Sequence, residues 1–424
     1  MEQFIGVLSP VWYFGGILIL YLAAYWIGEF TGWASLVPAK ESAGNYYSAI
    51  DGLRGILALS VFFHHSAIAY FYLHSGVWQP PPSNFYAQLG PFAVTMFFFV
   101  TGFLFWQKLM KSGGLRFWPF LLNRLRRLGP AYLASIGLVV SILAIQFGLT
   151  LRTSPVKLAL QLACWISCGV PFGFYDINHV RNTSLVNASV AWSLRIEWGF
   201  YLILPFLAWF ATKWRATLWI AICGLIGYFK YHPPGNTWAN TILDLPIQTA
   251  FYTFCCFSGG ILAAIAKTTW RLEPALRHWI CTPIALGLCA TTLFFAPPRY
   301  GLVESALLAP VFLMIVFGND FHGLLSSRFL TFPGVISYSL YLMHGIVIYV
   351  FTQTVRRYLD VAALSPVTYW MAALGVGLVV VTVCSLNYRY VEFPFMVKRK
   401  RVAPQPLPVI GPDEAIASAA DGIQ

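Results

Sequence analysis

Four groups of residues in this chain have types and spacings suited to chemistry. The first lies in "DGLRGILALSVFFHH", Asp51 to His65. A carboxylate and a guanidinium open the run, mainly apolar residues follow, and two histidines close it. On a helix the steps from Arg54 to His65 turn the chain through about 1100°, which is three turns and about 20° more. Both side chains then share one face, roughly 16 Å apart along the axis. Asp51, three residues before Arg54, can hold the guanidinium fork. A neutral imidazole at His65 can accept a proton, while His64 points about 80° away from Arg54.

The second group is "NRLRRLGPAY" at 123–132. Arg124 and Arg127, spaced i, i+3, share a helix face, and paired guanidiniums clamp phosphates. The third is "VAWSLRIEWGFYLILP" at 190–205, with Trp192 at its start and Glu197 inside an apolar run. A carboxylate there needs a partner or a job, and Arg195, two residues away, faces nearly the opposite side. The fourth is "VISYSLYLMHGIVIYV" at 335–350, which sets His344 mid-run beside Tyr338, Ser339 and Tyr341. Each group alone has a plain alternative. Arg54, Arg124 and Arg127 suit simple topology charges, Glu197 suits a structural partner, and a core histidine bonded to a neighbouring helix suits His65 or His344. The shared face of Arg54 and His65 is what argues for more.

The elements that must position these groups lie in a membrane. The chain is 424 residues long, 58% hydrophobic and only 10% charged, where soluble domains carry about a quarter charged residues. The net charge of +12 then marks inward-facing loops and not a nucleic-acid partner. The eight cysteines have neither metal-ligand nor disulfide-framework spacing, so no metal site is expected. The first apolar stretch lacks a basic lead and a small-residue cleavage site, so no cleavable signal peptide is expected.

The hydropathy predicts an all-α polytopic membrane protein with about 11 transmembrane helices: a 10-helix core plus one N-terminal helix. The spans are expected at 11–30, 52–73, 86–106, 131–149, 190–211, 215–229, 246–266, 279–296, 302–318, 334–355 and 367–388. The stretch 158–175 is read as re-entrant or interfacial. If it crossed, the basic run Lys398 to Arg401 would lie outside, against the positive-inside rule. This topology sets the N-terminus outside and the C-terminus inside. The chain then divides into an N-terminal peripheral helix (1–44), a membrane core (45–396) and a basic, then disordered, cytoplasmic tail (397–424).

Taken together the motifs resemble those of the acyltransferase family 3 of membrane O-acyltransferases, which includes O-antigen acetylases. The resemblance covers about residues 45–395 and rests on "IDGLRGILALSVFFHH", "MFFFVTGFLFW", "NRLRRLGPAYL", "WSLRIEWGFYLILP", "ISYSLYLMHGIVI" and "YRYVEFPF" in that order. The family's arginine–histidine pattern falls on Arg54 and His65, its paired arginines on Arg124 and Arg127, and its tryptophan-to-glutamate motif on Trp192 and Glu197. Thr101 stands where serine is common, and Trp198 where many members have a second glutamate. The helix at 11–30 lies outside the usual core.

The resemblance implies acyl transfer, most often of acetyl from acetyl-CoA, to a hydroxyl of a cell-surface glycan or lipid-linked saccharide such as lipopolysaccharide, in a bacterial inner membrane. Arg54, Arg124 and Arg127, with Asp51, are expected to bind the coenzyme A phosphates. His65 is expected as the base, with a covalent acyl-histidine as the other route. Glu197 is expected to enter from the outer side and orient His65 or the acceptor. Trp192, Tyr338 and His344 are expected at the substrate, and Trp165 and Tyr175 as sugar-stacking aromatics. Gly102 and Gly129 are expected at close helix contacts. By composition alone a transporter or flippase, or an acetyl-group translocator serving a separate transferase, fits as well.

Overall fold

The structure is a computed structural model that describes residues 6–36, 47–112, 114–170, 172–210, 246–298, 300–359 and 364–396. The segment 215–229 and the tail 397–424 lie outside the described residues. Twelve longer helices are named in chain order. They are α1 (Val11–Phe30), α2 (Ser48–Ser75), α3 (Asn84–Ser112), α4 (Phe117–Phe147), α5 (Pro155–Ile166), α6 (Ala191–Ile203), α7 (Pro246–Thr269), α8 (Cys281–Phe295), α9 (Leu302–Val316), α10 (Arg328–Val335), α11 (Ser337–Tyr358) and α12 (Pro366–Asn387). A π-helical turn, Tyr388–Glu392, continues α12.

Among the described residues five helices are long and apolar enough to cross a bilayer: α1, α2, α3, α4, and α12 with its continuation to Met396. A sixth span arises if α10 and α11, bent by 65° where they meet, count as one. Several of the other expected spans fall on shorter apolar helices. The run at 190–211 gives thirteen residues of α6 followed by a 3-10 stretch, and α8 and α9 have fifteen residues each. Among the described residues of 158–175 the α-helical part belongs to α5, which is twelve residues long. At about 18 Å it is shorter than a hydrocarbon core of about 30 Å. The Ser154 hydroxyl caps it by accepting from the Lys157 amide. Left-handed residues follow at Cys168, Asn178, His179 and Asn182, and the Asn178 amide returns to α5 by donating to the Gln161 side chain at 3.1 Å.

The expected loop at 107–130 is also shorter than read. α3 continues to Ser112 and α4 starts at Phe117, so Arg124 and Arg127 sit on α4 itself. Pro130 lies inside that helix, where membrane helices tolerate proline once neighbours satisfy the freed carbonyl.

α2 and α3 form the spine. On one side α3 packs on α7, and on the other α2 packs on α10 and α11. The buried side chains divide into two clusters along this spine, one around α3, α7 and α9 and one around α1, α2, α11 and α12. Phe97, Trp78 and Tyr338 touch both clusters, and the candidate site lies on that seam. The backbone of α2 runs in near contact with α10 and with the turn that precedes it. A Cβ on Gly52 would stand 1.9 Å from the Leu325 carbonyl oxygen, and one on Gly334 would stand 1.8 Å from that of Asp51. Only glycine permits this approach, and it fixes the turn that carries Asp51 and Arg54. Gly102 makes a similar approach, 2.6 Å from the Phe257 carbonyl oxygen, whereas Gly129 meets only Leu125 of its own helix. α1 docks on the same bundle through a Tyr13–Ser60 hydrogen bond of 2.9 Å.

Candidate active site

At one end of the spine, three guanidiniums face one cavity. Arg54 from α2 and Arg124 and Arg127 from α4 line it, with Thr101 of α3, Ser193, Glu197 and Tyr201 around α6, and Tyr338 and Tyr341 of α11. The space measures about 820 Å³, open solvent included. Arg54 Nη1 pairs with Asp51 at 3.2 Å, one turn along α2. Arg124 stacks over Phe105 at 4.8 Å, and its buried Nε has no hydrogen-bond partner. A buried N–H left open costs about 1–3 kcal/mol, which an anion in the cavity would relieve. Arg126, between the two, is exposed.

Glu197 belongs to this cavity. Tyr201 donates to its Oε1, and Thr101 donates to the same oxygen at 3.4 Å. The sequence reading gives Glu197 the task of orienting His65 or the acceptor. Among the described residues no hydrogen bond joins Glu197 to either His65 or His344, because α6 presents it toward α3 and α4. Tyr338 lines the same cavity and donates to the Leu128 carbonyl at 3.1 Å. Trp192 lies off the cavity, edge-on to Tyr300 at 4.9 Å.

Farther along α2, His65 Nδ1 meets His344 Nε2 at 2.9 Å. The direction of this bond is set by the neighbouring one. His344 Nδ1 lies 2.8 Å from the Leu340 carbonyl oxygen, which can only accept, so Nδ1 carries the proton. In a neutral ring Nε2 is then bare. His65 Nδ1–H must therefore donate to it, which leaves His65 Nε2 unprotonated. α2 is continuous from Ser48 to Ser75, so Arg54 and His65 do share a face, roughly 16 Å apart. His64 is held differently. Its Nδ1 bonds the Tyr86 carbonyl at 2.7 Å and its ring abuts Gly90.

The histidine pair is not on the lining of the arginine cavity. Tyr341 stands between them. Its ring lies 6.2 Å from that of His344 and 6.0 Å from that of Phe97, and its hydroxyl bonds Ser193 Oγ at 2.7 Å. Tyr341 is one of the residues that the sequence sets beside His344; Ser193 gave no signal beyond its place in the tryptophan–glutamate motif. A further network was also missed. Ser339 donates to Glu392 of the π-turn and receives a bond from Asn387 at 2.7 Å. The sugar-stacking expectation fails for Trp165, which is 1% exposed, buried because its backbone and indole both hydrogen-bond within the fold. Tyr175 is exposed. Among the described residues no cluster of three or more His, Cys, Asp or Glu could hold a metal ion.

A polytopic helical membrane protein with a histidine pair one side chain away from an arginine-lined cavity is the class that this fold and site define. The chain belongs to the acyltransferase 3 family: the family described as "Acyltransferase domain" matches residues 47–388. It is 25% identical over 381 residues to "Putative peptidoglycan O-acetyltransferase YrhL" of Bacillus subtilis (strain 168), covering 84% of this chain and 56% of that protein. It is also 25% identical over 264 residues to "Nodulation protein 10" of Rhizobium leguminosarum bv. viciae, covering 59% of this chain and 68% of that one. The chain thus spans little more than half the length of the Bacillus relative. No solved structure matches.

Proposed function

We propose that this protein transfers an acetyl group from acetyl-CoA to a hydroxyl of a cell-surface glycan. The observation that carries this reading is the bare Nε2 of His65, oriented through His344 and separated from three clustered guanidiniums by one tyrosine. Coenzyme A carries phosphates that Arg54, Arg124 and Arg127 suit, and its pantetheine arm is about as long as the Arg54–His65 rise. The donor enters from the cytoplasm, with the C-terminus on that side of a bacterial cytoplasmic membrane; the excess of lysine and arginine in the loops assigned to that face supports this orientation. A glycan acceptor draws support from the Bacillus relative's printed name.

The step balances without a metal. The acceptor hydroxyl gives its proton to His65 Nε2 as its oxygen attacks the thioester carbonyl. The tetrahedral centre collapses, the C–S bond breaks, and the imidazolium returns the proton to the departing thiolate. Tyr341 must turn aside for the thioester to reach His65. Glu197 and Tyr201 act on the donor in this scheme, beside the arginines.

Purified protein in vesicles tests the reading. Acetyl-CoA should yield free coenzyme A thiol faster when peptidoglycan fragments are present, with acetyl ester appearing on the saccharide. Movement of a saccharide across the vesicle wall without thiol release would point to a transporter instead.

A further inference from the structure

His65 does not line the arginine cavity, yet the residue is only half-buried. The group beside it is Trp78, in the eight-residue connection between α2 and α3, "GVWQPPPS". The indole lies nearly parallel to the His65 imidazole, 18° apart, with ring centroids separated by 6.0 Å. Trp78 is itself half-buried, and Tyr72 meets it edge-on at 5.5 Å. Arg356 of α11 fixes Tyr72 from behind. Its guanidinium lies 4.1 Å from the Tyr72 ring centroid and donates to the Tyr72 carbonyl at 2.7 Å. Gly76, with φ of 73°, ends α2 and turns the chain so that Trp78 comes back over the helix. Pro80, Pro81 and Pro82 stiffen the rest of the connection.

This connection does more than close a loop. A half-buried indole leaves an apolar face and an N–H open at once, and among the described residues no hydrogen bond takes up the Trp78 N–H. The C–H face of a pyranose complements such a face, and its hydroxyls complement such a donor. From the Trp78 face one ring hydroxyl would come within reach of His65 Nε2, from the end of the bundle opposite the arginines. Donor and acceptor then approach the imidazole from opposite ends.

We infer that Trp78, backed by Tyr72 and Arg356, forms the acceptor subsite and holds a hexopyranose unit of a glycan against His65. This rests on the acyl-transfer reading above and adds where and how the saccharide is held. It makes Trp78 a specificity-determining residue for ring-shaped acceptors, with water as an acceptor that needs no such platform.

The test uses the full chain in vesicles, with acetyl-CoA as donor and a peptidoglycan-derived disaccharide of N-acetylglucosamine and N-acetylmuramic acid as acceptor. Water serves as the ringless control, read as acetyl-CoA hydrolysis. Trp78→Ala should raise the disaccharide KM at least tenfold while the acetyl-CoA KM stays within twofold. Trp78→Phe, which keeps a flat ring, should recover most of the loss. A Trp78→Ala protein whose acetyl-CoA KM rises, or whose kcat falls with the disaccharide KM unchanged, overturns the subsite, since a merely structural role gives that pattern. Wild-type protein that hydrolyses acetyl-CoA but acetylates no saccharide leaves the acyl-transfer reading standing and overturns the subsite. Wild-type protein that neither transfers nor hydrolyses contradicts the acyl-transfer reading itself.

Discussion

His65 Nδ1 and His344 Nε2 lie 2.9 Å apart, joining helices α2 and α11. The bond sets which nitrogen of His65 is free. Replacing His344 by alanine or glutamine removes the acceptor that holds this tautomer. The expected result is a fall in kcat of roughly 10²- to 10⁴-fold, the span typical for a disabled general base, with the acetyl-CoA KM little changed. Steady-state kinetics on vesicles checks it; an unchanged kcat would show that the pair is only structural.

Arg124 offers a buried Nε with no partner. Arg124→Ala should raise the acetyl-CoA KM about tenfold to hundredfold, the worth of one charge-assisted bond. Arg126, exposed one step toward Arg127 on the same helix, serves as the control: Arg126→Ala should leave the donor KM within about twofold. Equal effects at both positions would mean that general surface charge, and not the cavity, binds the donor.

Glu197 shares its cavity with the three arginines. Glu197→Gln removes a negative charge beside them and keeps the side chain's shape. Acetyl-CoA binding, followed by equilibrium dialysis, should change severalfold while the acceptor KM holds. A change confined to the acceptor would return Glu197 to the role that its sequence position first suggested.

Tyr341 separates the cavity from the histidines. Tyr341→Ala should open that passage and raise acceptor-independent hydrolysis of acetyl-CoA, seen as thiol release without added glycan. No rise, with the protein still folded, would place the donor's path elsewhere.

Gly334 meets the Asp51 carbonyl where a Cβ would lie 1.8 Å from the oxygen. Gly334→Ala forces α10 away from α2, at about 1–3 kcal/mol for overpacking. Thermal unfolding in detergent should shift down. A midpoint equal to wild type would mean that the two helices part at no cost.

The sequence carried the motif positions because they are periodic. The shared face of Arg54 and His65 follows from helix geometry alone, and α2 is one unbroken helix. The pairing of His65 with His344 was not legible, since 279 residues separate them and no local pattern encodes a cross-helix bond. The surroundings of Glu197 were not legible for a related reason. Hydropathy gives depth along a span but not the helix faced, and α6 turns Glu197 toward Thr101. Element lengths within the apolar runs were not legible, because apolar composition does not distinguish a long helix from a short helix or a bent pair such as α10 and α11. Trp165 was taken for a binding aromatic, yet its hydrogen bonds are all internal.

The central claim is a division of labour along α2, with donor binding at the Arg54 end and proton transfer at His65. Measuring kcat and the acetyl-CoA dissociation constant side by side for His65→Ala and Arg54→Ala tests it most directly. The account predicts that His65→Ala abolishes acetyl transfer with acetyl-CoA binding intact, and that Arg54→Ala weakens acetyl-CoA binding while saturating donor restores most of the rate. Full transfer by His65→Ala, or donor binding untouched by Arg54→Ala, would contradict it.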